Sequence, residues 1–330
     1  MGRFRCSPRS PPTITSIIST LPVSALRSLV IRVDPCGLHW ADFKEPFSSL
    51  VERCGPSLTE FASPARLSDA AINHLIQLPH LHAWFTGDPP PNFPPSSSRL
   101  VFPALVQLTL WDGATSGWLS LFRRLERDVP ATEGITPLSR IRDSLRVLNI
   151  RNLKDFAIDT SVTSPIQIFR NMISLNVATR CRGGDDDSQC SFKLNNGDAA
   201  QLAAALPQLE SLFLGHPCSN DTCATTVACL LPISTYCVKL RNLEIHFNAI
   251  NIIDDLRGIS EDPRSEKLRS LPRRKLSCLY VYRIPLTLDE SGLETVARGM
   301  IDVFPSLRSF SGLNDVWGEI SGRVVKLQGA

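Results

Sequence analysis

The chain has few of the patterns that announce chemistry. Its 330 residues contain no C-x-x-C, no Walker phosphate loop, no G-x-G-x-x-G, no G-x-S-x-G and no H-E-x-x-H. The local signatures of nucleotide cradles, dinucleotide sites, serine hydrolases and zinc proteases are therefore missing. The net charge is only +3, which at this length makes no case for nucleic acid or a membrane surface. No run is apolar for the length a membrane span needs. The uncharged stretch from Thr222 to Val238 is interrupted by Pro232 and rich in Thr and Ser. The start lacks the apolar core of a secretory signal. The ten cysteines then read as free thiols of a reducing compartment, packed as small hydrophobes. Acids are absent before Asp34, while Arg3, Arg5, Arg9, Arg27 and Arg32 precede it. A mitochondrial presequence has this bias, but Leu26 to Ile31 already reads as a folded segment. Residues 1–12 read as a disordered basic start, and the expected location is cytoplasmic and/or nuclear.

What the chain has in plenty is one phrase. Leu206 to Pro217 reads LPQLESLFLGHP, with Leu209, Leu212 and Leu214 at i, i+3 and i+5. The last two have strand spacing, so they share a face. Pro207 stops the alanine-rich run Ala199 to Leu206, which reads as a helix. The unit is helix, proline, short strand.

The spacing recurs at Leu26, Leu29 and Ile31; at Leu105, Leu108 and Leu110; and at Leu145, Leu148 and Ile150. It recurs again at Met172, Leu175 and Val177; at Leu240, Leu243 and Ile245; and at Leu276, Leu279 and Val281. Leu58 with Phe61, Leu81 with Trp84, and Leu307 with Phe310 are degenerate copies. First positions lie from 23 residues apart (Leu58 to Leu81) to 40 apart (Leu105 to Leu145). The pattern predicts an α/β leucine-rich-repeat solenoid of about nine or ten irregular repeats. A curved parallel sheet would line its concave face, with helices and loops on the convex face. The repeat domain is expected over 13–313, with 314–330 as a C-terminal cap or tail.

Helices are expected from Pro46 through Val51, over Leu67 to Leu78 with Ser68 as cap, and over Trp118 to Leu125. Further helices are expected near Pro165 to Asn171, over Ala199 to Leu206 and over Cys223 to Leu231, stopped by Pro232. Ile259 to Leu271 reads as partly helical. Asp289 to Phe304 reads as a helix with Leu293, Val296, Met300 and Val303 or Phe304 inward. Asp128 to Pro137 reads as a loop.

Several stretches could carry chemistry, and each has a plainer reading. His216, Cys218, Cys223, Cys229 and Cys237 form the densest group of possible metal ligands. Their gaps lack the paired spacing zinc prefers, so buried structural thiols are the reading and no metal or cofactor is expected. Asp185, Asp186 and Asp187 lack the alternating ligands of a calcium loop and read as a solvated acidic loop. Asp88 to Ser98 (DPPPNFPPSSS) fits a docking peptide or a stiff surface loop. Arg269 to Lys275 (RSLPRRK) fits an import signal or a solvated turn between repeats. No catalytic residue is singled out, and no enzyme activity is expected.

The informative surface is the face away from the leucines. Residues between and beside the last two leucines of each phrase should point outward. That puts Gln107, Thr109 and Trp111 on one strand, and Val147, Asn149 and Arg151 on another. Ser211, Phe213 and Gly215 follow; then Asn242, Glu244 and His246; then Cys278, Tyr280 and Tyr282. Parallel strands lie about 4.8 Å apart, so Phe213, Glu244 and Tyr280 should form one row and His246 with Tyr282 the next. Exposed aromatics on a rigid sheet are what partner hot spots are made of, unless a loop or the C-terminal tail covers them. Trp111, Asn149, Arg151, Phe213, Glu244, His246, Tyr280 and Tyr282 are the candidate contacts. A protein partner is expected, with no nucleic acid and no membrane, on a monomeric chain.

With the repeats laid out, the chain resembles F-box/leucine-rich-repeat proteins of the kind expanded in fungi. Leu67-Ser68-Asp69 leading through Ile72 and Leu75 to Pro79-x-Leu81 carries the likeness. So do Asp198 to Leu209, and Leu288 to Leu293 leading to Pro305-x-Leu307. The phrases LPQLESLFLGHP, KLRNLEIHFN and FPSLRSF are similar to the C-terminal regions of that family. The likeness runs from Leu21 to Gly312. It implies substrate recognition for a cullin-type ubiquitin ligase, with the F-box adaptor and cullin as further partners. The chain departs from the family at its start. Leu21-Pro22 is similar to the opening of an F-box, but strand-like Leu29 to Val33 and Asp34-Pro35 stand where its helices belong. A shortened relative, or a free-standing scaffold without ligase contact, is the alternative.

Overall fold

The structure is a computed structural model that describes residues 20, 22–31, 43–87, 102–111, 119, 122, 137–153, 158–179, 192–215, 223–263, 276–281, 287–312 and 315–329. The chain divides into two compact units, Met1–Leu153 and Lys154–Ala330. The first holds β1 (Ser28–Val30), α1 (Lys44–Glu52), β2 (Glu60–Ser63), α2 (Asp69–Gln77), β3 (Ala83–Thr86), β4 (Gln107–Trp111), α3 (Pro137–Ser144) and β5 (Val147–Leu153). Its strands pair in parallel, in chain order.

The second unit holds α4 (Thr160–Thr163), β6 (Ser174–Thr179), α5 (Asn196–Ala205), β7 (Ser211–Gly215), α6 (Leu230–Tyr236) and β8 (Asn242–Ile245). It continues with α7 (Ile252–Glu261), β9 (Cys278–Val281), α8 (Glu290–Val303), β10 (Ser309–Gly312) and α9 (Asp315–Gly329). Its strands β6 to β10 are again parallel and in chain order. Each unit thus has the α/β leucine-rich-repeat fold: a parallel ladder of short strands joined by helical returns.

The register follows the leucine phrase. Leu29, Phe61, Trp84, Leu108 and Leu148 are successive ladder partners, and all five are buried. Leu175, Leu212, Leu243, Leu279 and Phe310 do the same in the second unit. The degenerate copies are therefore full strands in which an aromatic ring fills the leucine position.

A second repeat lies in the backbone. Where strands β2 to β5 and β7 to β10 begin, two successive N–H groups donate to one carbonyl of the preceding repeat. Glu210 and Ser211 share Ile173 O at 2.8 and 3.1 Å, and Arg241 and Asn242 share Glu210 O at 2.8 and 3.1 Å. Thr59 and Glu60 share Arg27 O in the same way, as do His82 and Ala83 with Thr59 O. A carbonyl has two lone pairs, so the junction satisfies both donors and fixes the strand start whatever the loop length before it.

The helices sit where polar caps and prolines bracket apolar runs. Ser68 Oγ accepts from Ala71 N at 3.1 Å to open α2. Asn195 and Asp198 form a capping box on α5, each side chain accepting from the other's backbone N–H at 3.0 Å. Asp289 Oδ1 accepts from Gly292 N at 2.7 Å to open α8. Pro79, Pro207 and Pro305 each stand one residue beyond the C-cap of these three helices, where a missing N–H costs nothing. Leu293, Val296, Met300, Val303 and Phe304 are all buried along α8.

Some helices differ from the sequence expectation. Pro232 does not stop a helix. It sits in the first turn of α6, where its N–H would have no intrahelical acceptor, and a 3₁₀ turn Val227–Cys229 precedes it. The stretch Ile259 to Leu271, expected to be partly helical, is helical where it is described up to residue 261, as the end of α7, in which Ile252, Leu256 and Ile259 are buried; residues 264–271 lie outside the described residues. Near Pro165 the chain forms the short α4, capped by Asp159, and a 3₁₀ turn Ser164–Ile166. Pro137 opens α3 instead of closing a loop. Of Trp118 to Leu125, only Leu119 and Phe122 are described, and both are buried. The segment after Asn314 is helix α9. It packs on α8 and β10, and Trp317 lies between Phe310 (ring centroids 5.2 Å) and Phe247 (6.4 Å). Residues 1–12, Asp88 to Ser98, Asp185 to Asp187 and Arg269 to Lys275 lie outside the described residues. Among the described residues no helix is long and apolar enough to cross a membrane.

Candidate functional site

The outward face of the second unit carries the aromatic row. Strands β6 to β10 turn alternate residues into the core, so the residues between them share the opposite face. The ladder sets Asn176 beside Phe213, Phe213 beside Glu244, Glu244 beside Tyr280 and Tyr280 beside Ser311. Asn176, Phe213, Glu244 and Tyr280 are all half-buried. On either side in sequence, Leu212, Leu214, Leu243, Ile245, Leu279 and Val281 are buried, which holds the row in place. Burial pushes the Tyr280 phenol above its usual range, and the Glu244 carboxylate adds to the shift. Cys278, one register position down from Tyr280, is partly exposed.

His246 is not part of this face. It is 1 % exposed and meets the Phe192 ring edge-on at 5.9 Å. The reason is local. β8 ends at Ile245, and His246 N makes the last bond along that strand, to Leu214 O at 3.1 Å. The chain then turns, and Asn248 N donates to Thr225 O at 2.7 Å. Beyond the pleat the alternation of faces lapses, so both His246 and Phe247 go inward. Gly215 is also buried, and its φ of 125° is open to glycine and strained for other residues. Tyr282 lies outside the described residues.

The first unit presents a different set. Trp111 is 47 % exposed, and its ladder partner Arg151 is exposed too. One step down, Asn149 Nδ2 donates to Thr109 Oγ1 at 3.2 Å. Thr109 is 3 % exposed although it stands at an outward position, between Phe85 and Asn149 in the ladder. At the strand starts, Ser28 Oγ donates to Glu60 Oε2 at 2.7 Å. Phe85 and Asn176 are among the outward residues missed from the sequence. Treating the degenerate Leu81–Trp84 copy as complete would have put Phe85 on the face, and the Met172 phrase would have put Asn176 there.

The thiols are structural. Cys54, Cys223, Cys229 and Cys237 are buried. Burial pushes the Cys54 thiol up to about 11, against a smaller opposing pull from Arg53. Burial pushes Cys237 up to about 12. It also raises Cys229, with Cys223 and Asp255 adding smaller contributions. Cys223 and Cys237 point their thiols at backbone carbonyls, as inert core cysteines do. Of the remaining residues weighed for zinc, His216 and Cys218 lie outside the described residues. Among the described residues no three His, Cys, Asp or Glu side chains gather as a metal site would require.

No family model matches the chain, and no curated protein does. Among solved structures, it is similar to the leucine-rich-repeat-containing protein LegL7 from Legionella pneumophila, at 13 % identity and a TM-score of 0.38, over 97 % of this chain and 96 % of that one. So loose a likeness carries no weight of its own. The leucine-rich-repeat fold rests on the ladder, the buried phrase and the repeated junctions within each unit.

Proposed function

We propose that the chain is a non-catalytic interaction module that holds a protein segment against the outward face of its second unit. We propose further that the held protein is a substrate for a cullin-type ubiquitin ligase. One observation supports the first reading: Phe213, Glu244 and Tyr280 stand in consecutive register on strands whose alternate residues are fixed in the core. Aromatic side chains held on a rigid ladder give up little freedom on binding, and such residues dominate interface energetics. Trp111, Asn149 and Arg151 are a second contact of the same kind on the first unit. Support for the ligase reading comes from the repeat phrases similar to F-box/leucine-rich-repeat proteins. A free-standing scaffold remains the second reading.

The test is a pull-down of the tagged chain from its native cells, read by mass spectrometry. Recovery of the F-box adaptor and a cullin supports the ligase reading; recovery of other proteins without them leaves the free-standing scaffold. In the same assay Phe213→Ala with Tyr280→Ala should reduce partner recovery about tenfold or more. The melting temperature should stay within a few degrees of the parent chain. Undiminished recovery by a folded double variant would remove this face from the interface.

A further inference from the structure

We infer that Trp111 and Arg151, ladder partners on β4 and β5, receive an acidic extended segment of the partner protein, with a carboxylate on Arg151 and an apolar side chain on Trp111. This deepens the reading above and rests on it, naming the chemistry of the contact on the first unit. Trp111 is 47 % exposed, whereas Trp84 and Trp317 are buried in the core. An indole left that open keeps a large apolar area in water, and aromatic and arginine anchors dominate the energetics of interfaces. Neither Trp111 nor Arg151 has a side-chain hydrogen bond, ion pair or ring contact among the described residues. The strands that carry them are fixed. Leu110 and Ile150 are buried, and one step down Asn149 Nδ2 donates to Thr109 Oγ1.

Charge decides the sign of the partner. Among the outward positions that the β1 to β5 ladder sets, Glu60 and Arg151 carry the formal charges. Glu60 accepts from Ser28 Oγ. It shares its register with Val147, so its backbone lies about 14 Å from Arg151 across three strand steps and about 13 Å along the strands. That exceeds the Debye length of roughly 8 Å, so Glu60 does not compensate the guanidinium. A carboxylate answers a guanidinium with a fork of two hydrogen bonds. An extended segment turns residues i and i+2 to one side, about 6.6 Å apart, so one such pair supplies both the carboxylate and the apolar side chain. A nucleic acid fits less well, because one arginine gives no track for successive phosphates.

The experiment offers the full chain to immobilised extended peptides with leucine two residues from a central glutamate, and to the same peptides with glutamine or lysine at the centre. Retention should favour glutamate and weaken as sodium chloride is raised, a readout that needs no variant. Moving the leucine next to the glutamate, onto the opposite side, should reduce retention. Arg151→Gln should cut retention of the glutamate peptides about fivefold and Trp111→Ala about tenfold, with the melting curve in place. Arg151→Glu should shift the preference to lysine. The inference is overturned if glutamine or lysine peptides are retained as well as glutamate ones and Arg151→Gln changes nothing. If retention ignores Arg151→Gln and Trp111→Ala but is lost in the Phe213→Ala, Tyr280→Ala variant, the inference falls and the docking face of the second unit stands. If no peptide is retained, or if none of these substitutions alters retention, both the inference and the docking reading fail. Binding of an oligothymidine that Trp111→Ala abolishes would make nucleic acid the occupant, and self-association that Arg151→Gln abolishes would make it a second copy; either overturns the inference.

Discussion

In the first unit the outward row of the sheet runs Ala62, Phe85, Thr109 and Asn149; in the second it runs Asn176, Phe213, Glu244 and Tyr280. Both rows sit at the same step of the repeat, between two buried residues of each strand. Yet one is largely neutral and closed over Thr109, with its charge displaced to Arg151 beside Trp111. The other places a single acid between two rings. The scaffold decides where a side chain stands, and the intervening residue decides what that position does.

Core truncation should not tell the two units apart. Leu148→Ala in the first and Leu212→Ala in the second remove buried ladder partners, and each should cost about 2–5 kcal/mol in chemical denaturation. The adjacent face substitutions, Asn149→Ala and Phe213→Ala, should cost about 1 kcal/mol or less. A face substitution as damaging as its core neighbour would overturn the assignment of faces in that unit.

The caps test the comparison on a smaller scale. Ser68→Ala on α2 and Asn195→Ala on α5 each remove an acceptor for a helix N–H, and should each cost about 1 kcal/mol. Loss at only one of them, measured by the denaturation midpoint at constant slope, would mean that the two helices are held by different forces.

The mildest probe is thiol chemistry. Iodoacetamide followed by mass spectrometry should label Cys278 on the native chain and reach Cys54, Cys229 and Cys237 only after unfolding. The pH dependence has a definite sign. Cys54 and Cys237 have raised values in the fold, about 11 and about 12, against 9.0 for an ordinary thiol. Above about pH 9 the unfolded chain therefore loses protons that the folded chain keeps. Their contribution is intact below pH 9 and falls away as pH climbs toward 11 and 12. Equal labelling of all four native thiols would contradict their burial.

Much of this was legible because the leucine phrase reports burial directly. Leu212, Leu243 and Leu279 announced both the strands and their register. Phe61, Trp84 and Phe310 took leucine positions and were read as weak copies, since an aromatic breaks the phrase without breaking the packing. His246 was misplaced because alternation of faces holds only inside a pleat, and nothing in IHFN says that β8 ends at Ile245. The start of helix α7 at Ile252 was not read, because the charges after Ile259 drew attention from Ile252 and Leu256. Pro232 was read as a stop because proline both ends and opens helices. Only the surrounding chain decides which.

The shared-carbonyl junctions have a consequence for how such a chain changes over generations. At β7, β8 and β9 they set the start of the strand without reference to the side chain at the face position. A substitution at 213, 244 or 280 leaves the backbone junction of its strand in place. Those three sites can therefore be rewritten one at a time, so binding preference can drift, or be selected from a small randomised library, on an unaltered frame. Insertions that lengthen the returns between strands are absorbed in the same way, which accounts for repeats of such uneven length stacking in regular order.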